Sequence, residues 1–165
     1  MRRRRPVLVL GLVLALALCG VSGWSYARAR GDADLAYAHS RDAVLAAGRH
    51  HIARLNSVDA HDVDADLDAW LDATTGPLRD ELRTTRAESA RVIAEQGTTT
   101  RAEVTAAAVT ELDDRSGTAR LIATVRIQGE PRTGTPTTDR KRFEAGLTRT
   151  RGGWKLASLT AVGTG

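Results

Sequence analysis

One cysteine, Cys19, serves the whole chain of 165 residues. No disulfide can form within such a chain, and beyond the N-terminal apolar run it has no thiol nucleophile and no cysteine-based metal site. Aromatic residues are scarce at 4%. Both tyrosines, Tyr26 and Tyr37, lie near the N-terminus, which leaves the remainder without a tyrosine-based oxyanion hole. Lysine is nearly missing: Lys141 and Lys155 stand against twenty-two arginines. No G-x-S-x-G, H-E-x-x-H or phosphate loop with its lysine occurs, so the familiar hydrolase, zinc-protease and nucleotide signatures are excluded.

Acid is absent from residues 1–30, which carry six arginines. Arg2 to Arg5 precede an uncharged run, residues 7–24, about as long as the 17–25 residues that cross a hydrocarbon core. The arginine cluster holds the N-terminus in the cytoplasm, and Trp24 sits where an aromatic belt meets the outer headgroups. The segment reads as a retained single-pass anchor, with Val7, Leu8, Leu12, Leu16 and Trp24 facing lipid. A cleaved leader ending near Ala29 and a lipoprotein signal at Cys19 are the alternatives, since a leader has the same basic start and apolar run. The remainder is then extracytoplasmic.

The overall charge of +4 belongs mostly to this topology signal. Removing the six N-terminal arginines leaves the exported part at −2. No exported stretch interleaves arginines with aromatics as a single-strand platform does, so nucleic acid is excluded as a partner.

The exported part divides into a helical half and a strand half. Leu35, Val44, Leu45, Ile52 and Leu55 recur near the helical period, which predicts a first helix over 32–55 that Gly31 and Gly48 could bend. The stretch "SVDAHDVDADLDAWLDATTG" predicts a second, with aspartates at its start and Leu67, Trp70 and Leu71 at i, i+3 and i+4. Gly76-Pro77 stops it and starts a third, with Asp80 and Glu81 near its positive end, running to about Gln96 and ending at Gly97.

From Thr98 the period becomes two. Ala102, Val104, Ala106, Ala108 and Leu112 predict the inward side of a first strand. Ala119, Leu121, Ala123, Val125 and Ile127 predict a second after the turn "DDRSG". "GEPRTGTPT" reads as an exposed loop. Phe143, Ala145 and Leu147 mark the inward side of a third strand, and "RGG" turns the chain into a fourth, "WKLASLTAV". The plan is α+β: about three helices on one face of a curved, four-stranded antiparallel sheet. Its expected divisions are an anchor over 1–30, a helical stalk over 31–58 and a domain over 59–165.

The basic start and span, the alanine-rich helix, "DADLDAWLDATTGPLRDELRTTRAE", "ARLIATVRI" and the final "GGWKLASL" together resemble the Mce-associated membrane proteins of high-GC Gram-positive bacteria. That resemblance implies a cone-shaped domain like nuclear transport factor 2. It also implies an accessory role beside mammalian-cell-entry importers of lipids or sterols. It supplies no catalytic motif.

Each candidate chemistry has a plainer structural reading. Asp62, Asp64, Asp66 and Asp68 alternate like a calcium loop, but the glycine and bidentate glutamate that loop needs fall on Leu67 and Ala73; charge at a helix start explains them. His50 and His51 are adjacent and diverge by about 100° on a helix, so neither they nor His39 and His61 form a zinc motif. Trp70, Phe143 and Trp154 line an apolar interior or pack as core. Arg120, Arg126, Arg140, Arg142, Arg149 and Arg151 are expected on one outer sheet face, as a solvated surface or as a docking face for an acidic partner. The expectation is a single-pass, extracytoplasmic, non-enzymatic scaffold without cofactor or metal. It would support an envelope complex, a Mce-type importer first of all. A lipid-binding or isomerase-like domain and a type IV secretion assembly subunit are the alternatives.

Overall fold

A computed structural model describes residues 34–163. The chain divides into two units, Met1–His39 and Ser40–Gly165. In the first, the described residues 34–39 are helical. The predicted anchor, with Val7, Leu8, Leu12, Leu16 and Trp24, lies outside the described residues. Among those that are described, no helix is long and apolar enough to cross a membrane.

The second unit opens with helix α1, residues 40–55. Its stripe of Val44 and Ile52 is fully buried, each such side chain stabilising the fold by about 1.5–3 kcal/mol relative to exposure. The helix runs unbroken through Gly48. This glycine serves close approach rather than bending, because a β-carbon there would overlap the Leu121 side chain. Helix α2, Val63–Ala73, buries Leu67 and Ala73. Helix α3, Gly76–Gln96, has Pro77 in its first turn and stops at Gly97, whose left-handed backbone (φ 57°) suits glycine. Its first turn holds no acid, so Asp80 and Glu81 sit further from the positive end than expected.

Strands β1 (Thr98–Asp113), β2 (Thr118–Pro131), β3 (Thr137–Thr150) and β4 (Gly153–Val162) form one antiparallel sheet in sequence order. β2 gives the cleanest alternation, with Ala119, Leu121, Ala123 and Val125 buried between exposed or half-buried neighbours. These four join Val44, Ile52, Phe143, Ala145, Leu147, Trp154 and Leu156 in one core on the sheet's inner face.

Two expectations about the strands are corrected. In β1, Ala106 and Ala108 pair with the outward Thr124 and Ile122, not with the inner row. A bulge at Thr105 inserts one residue and flips the parity, handing the inner positions to Ala107 and Val109. A second bulge at Thr110 restores it at Leu112. The stretch read as a loop from Gly129 is also shorter: β2 continues to Pro131, which pairs with Thr98 as the last residue of its strand. A proline is tolerated there because the ladder ends with it.

Both sheet edges are partly covered. The Val58 and Thr100 backbones exchange hydrogen bonds of 3.0 and 2.8 Å across the β1 edge. On the β4 edge the Thr75 amide donates to the Leu156 carbonyl at 2.8 Å. The segments between the helices thus replace the edge strands that a four-stranded sheet would otherwise expose.

Candidate functional site

The outer face of the sheet carries the exposed charge that the sequence led one to expect, in a more balanced form. Arg120, Arg126, Arg140 and Arg142 occupy outward positions on β2 and β3, with Arg126 directly opposite Arg140 and Arg142 opposite Thr124. Arg126 is paired with Glu103 at 3.1 Å. Arg120 lies between Glu111 at 3.4 Å and Glu144 at 3.6 Å. Such exposed pairs contribute little stability, about 0–1 kcal/mol each, but they cancel charge locally. Among the described residues Arg140 and Arg142 have no carboxylate partner. The surplus positive charge is therefore concentrated at these two positions of β3.

Arg149 and Arg151 do not belong to that face. Arg149 shares the parity of Leu147 and stands opposite Trp154 on the inner side. Its guanidinium lies 4.9 Å from the Trp154 ring centroid and is paired with Asp114. A cation over an aromatic face with a carboxylate beyond it satisfies both its faces and its charge. Arg151 sits in the turn between β3 and β4, where it has no place on either sheet face.

The predicted apolar interior divides in the same way. Phe143 and Trp154 are part of the core, while Trp70 is half-buried outside it. The Trp70 indole donates to the Ser57 carbonyl at 3.1 Å. The inner face is packed with side chains, and the buried polar residue among those described is Thr74. Its hydroxyl donates to the Trp70 carbonyl at 2.9 Å, completing the end of α2.

His51 is tied to the sheet in a way that sequence reasoning missed. Its Nε2 lies 2.9 Å from the Trp154 carbonyl. A carbonyl only accepts, so Nε2 carries the proton and Nδ1 is the bare nitrogen; Nδ1 is buried without a protein partner. Burial lowers the His51 pKa, with His50 and Lys155 adding to the fall and the Trp154 carbonyl opposing it. A histidine one or two turns from a buried apolar stripe, four residues before Leu55, was the available signal. It marks a side chain beside the buried face of α1 but names no partner.

Asp64, Asp66 and Asp68, around Leu67, serve local structure. Asp66 accepts the Asp59 amide at 2.6 Å. Arg86 of α3 bridges Asp64 at 3.3 Å and Asp68 at 2.5 Å, joining the two helices. The Asp59 carboxylate receives the His61 amide and ring, which holds its pKa below the usual range. Among the described residues no histidine and carboxylate groups converge as a metal would require.

On the outer face, between the charged rows, lies an open groove of about 470 Å³ lined by Ala106, Ala108, Ile122, Thr124, Arg142 and Val162. Its floor is apolar and no carboxylate lines it.

The family described as "Uncharacterized protein Rv1363c/MT1408-like" matches residues 6–162. No curated protein matches the chain. Similar solved structures include an IcmL-like type IV secretion system protein from Legionella pneumophila, at 12% identity and a TM-score of 0.61 over 76% of this chain and 95% of that one. CagV, a VirB8 homolog of the type IV secretion system from Helicobacter pylori, shares 13% identity with a TM-score of 0.59 over 75% and 99%. The periplasmic domain of DotI shares 11% with a TM-score of 0.61 over 73% and 94%. At these identities the likeness is one of fold: three helices and an open four-stranded sheet of the nuclear transport factor 2 and VirB8 kind.

Proposed function

The chain belongs to the Rv1363c/MT1408-like family, and from that premise we propose that it is a membrane-anchored, extracytoplasmic, non-catalytic scaffold of an envelope complex. The observation that carries the reading is the contrast between the two faces of the sheet. The inner face is filled by Leu121, Leu147, Leu156 and their neighbours under α1, which supports a packing role for that side of the sheet. The outer face keeps Arg140, Arg142, Ile122 and Val162 exposed. A surface that combines unpaired cations with exposed aliphatics is suited to protein contact.

The complex is a Mce-type lipid or sterol importer in this reading. Its support is the resemblance carried by "ATTGPLRDEL" and "GGWKLASL", two stretches that meet in space. Thr75 of the first donates to Leu156 of the second at 2.8 Å. A joint of this kind explains why both stretches occur together without any chemistry of their own. The second reading, a type IV secretion assembly subunit, is favoured by the shared fold with the IcmL-like protein and CagV.

Cross-linking in intact cells, followed by mass spectrometry of what co-purifies, tests the proposal. Importer components covalently joined to the chain are expected. Secretion-channel proteins in their place would support the second reading, and mature protein free in the culture medium would overturn both.

A further inference from the structure

Over residues 40–163 the large aliphatic side chains left exposed are Ile122 and Val162, at 50% and 47%. They lie on β2 and β4, yet both line the same outer-face groove. The bulge at Thr105 turns Ala106 and Ala108 outward to extend its floor toward β1. Arg142 stands opposite Val162 inside the groove, and Arg140 is two residues further along the same strand and face. The neighbouring arginines are neutralised by Glu103, Glu111 and Glu144, whereas these two are not. Glu144, opposite Ile122 on the same face, is turned to Arg120. An apolar floor with unpaired Arg142 in it and Arg140 beyond its rim therefore calls for an occupant that is apolar on one side and anionic along the flank nearer these two cations.

We propose that this groove seats an amphipathic helix of a partner protein, its apolar stripe on Ile122 and Val162 and its flanking carboxylates on Arg140 and Arg142. The proposal rests on the docking face proposed above and names what that face takes. An extended segment does not fit, because the backbone groups of β2 and β3 are already used on both sides by the ladder; its own would be left unpaired. A helix satisfies its backbone internally and turns once every 5.4 Å or so, close to the spacing of about 4.8 Å between neighbouring strands. Successive turns lying across the strands would therefore meet successive groove positions. A lipid or other small ligand would be enclosed over about 70–90% of its surface in a dedicated site, while this groove lies open on the sheet.

The test uses the full-length chain and a fluorescent helical peptide of leucine, alanine and glutamate, with glutamates four residues apart on one flank. Its lysine counterpart and a short-chain phosphatidylglycerol serve as competitors. Binding of the glutamate peptide should fall about tenfold or more in the Arg140→Glu, Arg142→Glu double variant. Ile122→Asp should weaken it as well, and Arg142→Lys should retain most of it. Equal binding of the lysine peptide, displacement by the lipid, or an unchanged affinity in the double variant would overturn the proposal. Absence of peptide binding by a chain whose outer face still cross-links to an envelope protein in cells would overturn this occupant and leave the docking face standing.

Discussion

Gly48 of α1 faces Leu121 of β2 so closely that no β-carbon fits between them. The contact fixes how deeply the first helix sinks onto the sheet, and it sets two terms in opposition. Gly48→Ala gains about 1 kcal/mol of helix propensity, but overpacking against a rigid core costs about 1–3 kcal/mol. The clash falls on a δ-methyl of Leu121, and because that side chain is fully buried it can swing away only by disturbing its core neighbours, so net destabilisation is expected. Leu121→Ala alone should cost about 2–5 kcal/mol through the cavity it leaves. The two changes together should cost less than their sum, because the new methyl enters that cavity. Urea denaturation of the three variants measures the coupling, and strict additivity would refute the contact.

His51 predicts the acid side of the stability profile. Its folded pKa lies below the ordinary 6.5 because burial disfavours the imidazolium. The unfolded chain therefore takes up this proton first as the pH falls. The stability contributed by neutral His51 is complete above pH 6.5 and is lost as the pH drops toward the depressed folded value. Asp59 and Asp113, whose pKa values are lowered below 3.8 by hydrogen bonds, act only in the more acidic range. Thermal melts should show a falling Tm below pH 6.5, and His51→Gln should flatten that slope. The same slope in the variant would remove His51 from the account.

Thr74 is expected to matter through its hydroxyl rather than its shape. Thr74→Val keeps the volume but leaves the Trp70 carbonyl without the 2.9 Å hydrogen bond it now receives. A loss of about 1 kcal/mol follows from a single buried hydrogen bond. Hydrogen exchange should locate the loosening at the junction of α2, α3 and β4, where Thr75 meets Leu156. Uniform loosening would argue against a local joint.

The helices and four strands were legible because their signals are strong: the alternation through Leu121 and Val125, the stop at Gly97, the start at Pro77. What escaped was set by interactions that periodicity does not carry. Three consecutive alanines, Ala106 to Ala108, have no difference in hydrophobicity with which to announce a bulge, so the parity change at Thr105 was invisible. Arg149 looked outward because it is charged, yet its parity is that of Leu147, and Trp154 with Asp114 makes the inner side acceptable. The outer arginines were legible as a group. Their partial cancellation by Glu103, Glu111 and Glu144 depended on a register that only the folded sheet supplies.

The docking face should be separable from stability. Arg126→Glu with Arg142→Glu removes one exposed ion pair, that of Arg126 with Glu103, worth about 0–1 kcal/mol. Melting temperature should stay nearly constant while co-purification of the envelope partner falls. A large drop in Tm would show that these arginines hold the fold, and unaltered co-purification would show that they hold nothing else.

The most direct measurement compares the two faces of the domain in living cells. A photo-activated cross-linking residue at Thr124, in the outer groove, is set against one at Thr84, on the exposed side of α3. The account predicts a discrete envelope-protein adduct from position 124 and none from position 84. Adducts from position 84 alone, or from neither, would contradict it.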